Sequence, residues 1–120
     1  MNCIILFYVL NATLLILHEI ESGYEKEWEI LNLPGKITGF LLLHIPIIIL
    51  LFYGLIELYK GSMAGMVIGI ICGAGGLIPF IVHKIIVRRK DRFNHLISDI
   101  IIYASILSGI GTIVSLLSSY

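Results

Sequence analysis

The chain has 120 residues, 58% of them hydrophobic and 13% charged, with eight acidic and eight basic side chains in balance, and a mean hydropathy of +1.02. A soluble domain carries roughly 25% charged residues, so these side chains cannot cover a water-facing surface and most of the molecule is expected to face lipid. Zero net charge points away from a nucleic-acid partner, and no segment between the apolar runs has room for a P-loop, a dinucleotide fold or another soluble domain.

Charges are absent from four stretches: Met1 to His18, Ile37 to Ile56, Gly61 to His83 and Ile100 to Tyr120. Crossing about 30 Å of hydrocarbon takes about 20 apolar residues as a helix. The expected fold is therefore all-α, a single polytopic membrane domain over residues 1–120 built as a bundle of four transmembrane helices at about 3–22, 37–59, 62–86 and 94–118. No Lys or Arg precedes the first run and no small-residue cleavage site follows it. It is expected to be a helix of the protein and not a cleaved signal peptide.

Helix one ends on His18-Glu19, and the connection from Glu19 to Lys36 holds five of the eight acids together with Tyr24, Trp28 and Leu33-Pro34-Gly35. Its middle is expected to lie as a short interfacial helix, its aromatic rings at headgroup level, with Pro34-Gly35 turning the chain back. Helix two carries His44 two turns in, and Glu57 near its far end, where a solvated role beside Tyr59 and Lys60 is expected. Helix three carries Gly61, Gly65, Gly69 and Gly73 at spacing four, then Gly75, Gly76, Pro79 and His83. Such a repeat lets another helix approach closely, within the chain or from a homo-oligomer or membrane partner. Helix four opens with His95 and Asp99, one turn apart, and continues with a small polar stripe of Ser108, Thr112, Ser115 and Ser119, a second packing face. Cys3 and Cys72 lie at different depths and are expected as small apolar residues, not a disulfide.

The first connection holds Lys26 and Lys36, the third holds Lys84, Arg88, Arg89, Lys90 and Arg92, and the second holds Lys60 alone. The positive-inside rule puts connections one and three in the cytoplasm and both termini outside, in a bacterial or archaeal cytoplasmic membrane. Alternate helices run in opposite directions, so His18, His44, His83 and His95 then share the cytoplasmic side with Glu19 and Asp99. Ionisable groups at membrane depth are costly and generally face the bundle interior or a wet cavity.

Imidazole and carboxylate together suit Zn²⁺ or Fe²⁺. The expected metal ligands are His18, His44 and His83, with Glu19, His95 and Asp99 as alternatives or as partners that orient an imidazole. In an enzyme acting on a lipid or amphiphile, Glu19 or Asp99 is the candidate general base. His18-Glu19 has no second histidine four residues on and so is not the zincin pattern. The same layer could hold a haem between two histidines, a proton relay or a lipid-headgroup pocket, or be satisfied by helix ends alone. A non-enzymatic accessory or scaffold protein, pairing through the glycines of helix three, is the reading from a different class.

His18-Glu19, Tyr24, Glu27-Trp28, Leu33-Pro34-Gly35, His44 and His83 form a pattern that resembles a family of small bacterial four-helix membrane proteins of unknown function. It is also similar to the HXXEE-type membrane domains, with Ser22 standing where their second glutamate would be. The resemblance is densest over residues 18–44. It implies the four-helix membrane fold and this choice of residues, and no particular reaction.

Overall fold

A computed structural model describes residues 3–87 and 95–119 of the chain. Its elements are α1 (Cys3–Tyr24), α2 (Glu27–Ile30), α3 (Lys36–Lys60), α4 (Met63–Gly75), α5 (Ile78–Phe80), a π-helical segment (Ile81–Val87) and α6 (Leu96–Ser119). Four spans are long and apolar enough to cross a membrane: Cys3–Tyr24, Lys36–Lys60, Met63–Ile85 and Leu96–Ser119. The described residues include no strand. The protein is an all-α membrane bundle with a short helix, α2, between its first two spans. Arg88, Arg89, Lys90 and Arg92, which carry most of the charge argument for orientation, lie outside the described residues.

The third span, expected over 62–86, runs as Met63–Ile85 and is irregular along its length. Its regular ladder stops at Gly75-Gly76, where the turn tightens and the Leu77 amide donates to the Ala74 carbonyl at 3.0 Å. Pro79 has no amide hydrogen to return to Gly75, and its ring crowds that carbonyl, so the chain restarts as α5. The helix then widens into π turns over Ile81–Val87.

Lipid tails are as apolar as leucine and supply no hydrophobic force between spans, so close backbone approach and interhelical hydrogen bonds must hold the bundle. Contacts run around the bundle from α3 to α4, α4 to α6 and α6 to α1, with α1 also touching α3 and α4. A Cβ on Gly65 would lie 2.6 Å from the Leu58 amide nitrogen of α3, one on Gly69 2.6 Å from Leu116, and one on Gly73 3.0 Å from the Gly109 carbonyl of α6. The glycine stripe is therefore spent inside this chain, on α3 and α6. Gly61 only turns the chain from α3 to α4, with φ +72° and open space around it.

Buried polar groups complete the centre of the bundle. Asn11, fully buried, donates to the Cys72 carbonyl at 2.8 Å and accepts from the Ser108 hydroxyl at 3.1 Å, tying α1 to α4 and α6 at once. The Tyr8 hydroxyl donates to the Leu51 carbonyl at 2.7 Å, which ties α1 to α3. It can do so because Gly54 offers no side chain at that point. Asn11→Ala should lower stability in detergent by about 1–2 kcal/mol, because it removes two interhelical bonds from the buried centre; thermal unfolding measures it.

Glu57 is not the solvated surface acid the sequence suggested. It is 9% exposed, and its carboxylate accepts from Ser62 at 2.7 Å and from Lys60 at 3.0 Å. Ser62 in turn caps α4 by accepting from the Gly65 amide at 3.1 Å. The glutamate fastens the α3–α4 turn. Cys3 is exposed and Cys72 buried, both as free thiols.

Candidate metal centre

At the end of α1 three side-chain directions diverge, because successive residues on a helix step by about 100°. Glu19 points to α3, Glu21 to α6, and His18 with Ser22, one turn on, to the π-helical segment and α2. Each direction meets a polar partner. The Glu19 carboxylate is hydrogen-bonded to Nε2 of His44, the Glu21 carboxylate accepts from the Ser98 hydroxyl, and His18 meets His83 and Glu27.

The last of these is the compact group. His18 is 3% exposed and His83 fully buried. Their rings meet edge to face with centroids 5.0 Å apart. His83 Nε2 lies 3.2 Å from Glu27 Oε1. One ligand atom from each of His18, Glu27 and His83 lies within 4.8 Å of the other two, the set of three metal-ligating side chains this close among the described residues. Ligands about 2.1 Å from a tetrahedral ion lie about 3.4 Å apart. The three side chains could therefore hold one metal ion.

Local backbone choices place each member. Lys26, the residue before α2, adopts the left-handed conformation at φ +53°. This conformation is costly for a residue with a Cβ. It reverses the chain after α1, so that α2 begins with Glu27 over the end it has just left. The backbone stays tightly specified beyond α2, with Asn32, Gly35 and Lys36 also at positive φ. His83 lies on the π-helical segment, where the extra residue per turn re-aims side chains relative to an α-helix. Burial alone would push the Glu27 carboxyl up; hydrogen bonds from His83 and Ser22 and the charges of His83 and His18 more than offset it, holding the group below the usual carboxylate range. A depressed carboxylate contributes stability that is fully present above its unfolded value and is lost as pH falls through its folded one. The acid limb of stability should therefore flatten in Glu27→Gln, as read by melting temperature against pH from 7 down to 3.

The expected ligands divide accordingly. His18 and His83 come together. His44 and Glu19 form a neighbouring pair: His44 Nδ1 donates to the Phe40 carbonyl at 2.6 Å, and Glu19 lies in the electrostatic field of both Glu27 and His83. His95 is exposed just before α6. Asp99 does not pair with it and accepts instead from Lys84 at 2.5 Å, because the π-helical segment carries that ammonium to the start of α6. Glu27, absent from the expected ligands, is the residue that sequence reasoning missed. Its only signal was its place in the Glu27-Trp28 part of the pattern.

The chain matches the family of unknown function DUF6713 over residues 4–119. It belongs to that family. The match takes in all four spans and every residue of the centre, well beyond the stretch 18–44 where the resemblance is densest. No match was found among curated proteins or among solved structures.

Proposed function

We propose that this DUF6713 protein is a membrane metalloprotein in which His18, His83 and Glu27 hold one divalent ion, Zn²⁺ or Fe²⁺, and leave a position open for water or substrate. The observation that carries the reading is the convergence of two buried imidazoles and a carboxylate from three separate elements. Two histidines and one carboxylate with open positions suit both catalytic zinc and non-haem iron. Structural zinc sites instead close with four ligands.

The ion would supply Lewis acidity and a water acidic enough to act near neutral pH. The chain's own residues do the rest. His44 Nδ1 is committed as a donor to the Phe40 carbonyl, so His44 Nε2 and Glu19 Oε2 share a single proton between them. Glu19 Oε1 is left as the acceptor for a further proton. Asp99 is held by Lys84 and drops out as the base. A reaction on a lipid or amphiphile follows from the setting, a polar cluster inside an apolar bundle. Lys26, Lys36 and Lys84 at this end favour a cytoplasmic position for it, with both termini outside.

Metal analysis of protein purified without a histidine tag tests the reading. About one equivalent of zinc or iron per chain is expected, and none in His18→Ala. Wild-type protein without stoichiometric metal overturns it.

A further inference from the structure

A second feature adjoins the centre. Between α2, the following turn and the first turns of α3 runs a groove of about 200 Å³ lined by Trp28, Leu33, Pro34, Gly39, Phe40 and Leu43. Gly39 cannot be larger, because a Cβ there would lie 2.7 Å from the Pro34 carbonyl. Trp28 forms an inner wall and is 9% exposed, its ring tilted on Phe40 with centroids 5.6 Å apart. Phe40 also stacks on His44 at 4.1 Å, and His44 bonds Glu19. The wall of the groove is thus continuous with the polar cluster.

Its other side is continuous with the lipid-facing surface. Leu41, Leu42 and Leu43 of α3 are 56%, 62% and 54% exposed, which in a membrane bundle means exposed to acyl chains. Gly39 to Leu43 lie about 5–10 Å along α3 from its first residue, the depth at which headgroups give way to hydrocarbon. A narrow groove with apolar lining, opening onto lipid at that depth, fits a polymethylene chain. Its lining is predominantly apolar.

We infer that this groove is a binding site for one acyl chain of a membrane lipid, held so that the polar end of the lipid lies beside Glu19, His44 and the metal-ligating triad. The inference rests on the proposed metalloprotein for its chemical purpose and not for the binding itself. It makes the substrate class an acyl lipid entering sideways from the bilayer.

Trp28 is the chain's one tryptophan, so its fluorescence reports the groove directly. Protein in micelles of an unbrominated detergent is titrated with a phosphatidylcholine brominated along its acyl chains. Saturable quenching at low mole fraction is expected. Leu43→Phe or Leu33→Phe, which narrow the groove from opposite walls, should raise the half-saturating fraction about tenfold, the equivalent of excluding one or two methylenes. Leu41→Phe, outside the lining, should leave it unchanged, and an unshifted Trp28 emission maximum certifies the fold of each variant. Quenching that rises linearly with brominated lipid, or that ignores both groove variants, overturns the inference; so does quenching that appears only when an oligomer is diluted to monomers, which would make a second copy the occupant. Repeating the titration after chelation separates the two readings. Saturable quenching in a protein that binds no metal upholds the groove and sinks the metal centre, and stoichiometric metal with linear quenching does the reverse.

Discussion

His83→Ala is expected to abolish stoichiometric metal binding, weakening it by more than about 100-fold, while His44→Ala keeps it within about tenfold of wild type. Removing a residue that merely orients a metal ligand typically costs 10–100-fold, so the loss of one of three ligands should exceed that range. His83 is fully buried, and its alanine variant also leaves a void where the imidazole was. His18→Ala gives the same readout from a different helix and guards against local unfolding as the explanation. His44 is a different case, because Nδ1 is committed to the Phe40 carbonyl and Nε2 to Glu19. Its alanine variant should bind the ion and lose the proton function of the Glu19–His44 pair. Competition with a chromophoric chelator measures both. Equal losses in the two variants would put His44 among the ligands and require a different geometry.

Gly65→Ala should destabilise the protein by about 2–3 kcal/mol, whereas Gly75→Ala, ten residues on in the same helix, should be neutral or slightly stabilising. A helix interior favours alanine over glycine by about 1 kcal/mol, a gain that Gly65, in the first turn of α4, and Gly75, its last residue, collect only in part. They differ in what the methyl group meets. At Gly65 it would lie 2.6 Å from the Glu57 carbonyl carbon and the Leu58 amide nitrogen, backbone atoms that cannot rotate away. α3 and α4 would have to separate, breaking the Glu57–Ser62–Gly65 linkage as well; overpacking of this kind typically costs 1–3 kcal/mol. At Gly75 the nearest atom is Leu15 Cδ1 at 3.8 Å, an ordinary contact. Melting temperatures in one detergent compare the pair directly, and equal losses would mean that α3 and α4 are not in backbone contact.

The four spans could be read from the sequence because charge exclusion from hydrocarbon leaves charge-free runs of a fixed length. The small-residue spacing of helix three was also legible, since it follows from helical periodicity, and the inward position of His83 from the cost of turning an ionisable group to lipid. Glu27 was not, because its place depends on Lys26 adopting a left-handed conformation that a lysine rarely takes. The break at Gly75-Gly76 could be suspected from Pro79, but not the π turns beyond it, which no local propensity marks. His44 and Asp99 share a depth with the centre, yet depth alone does not choose partners. Side-chain direction and the reach of Lys84 do.

The π-helical segment that carries His83 bears on how such a centre can be gained or lost. An α-helix becomes a π turn by accommodating one additional residue, and removing one would turn everything beyond it by about 100°. A chain one residue shorter between Phe80 and His83 would retain His18, Glu27 and His83 in its sequence and present the imidazole to a different face. Presence of the three residue types therefore does not by itself bring the three side chains together; the residue count between Pro79 and His83 does, and a single codon's insertion or deletion there is enough to separate them.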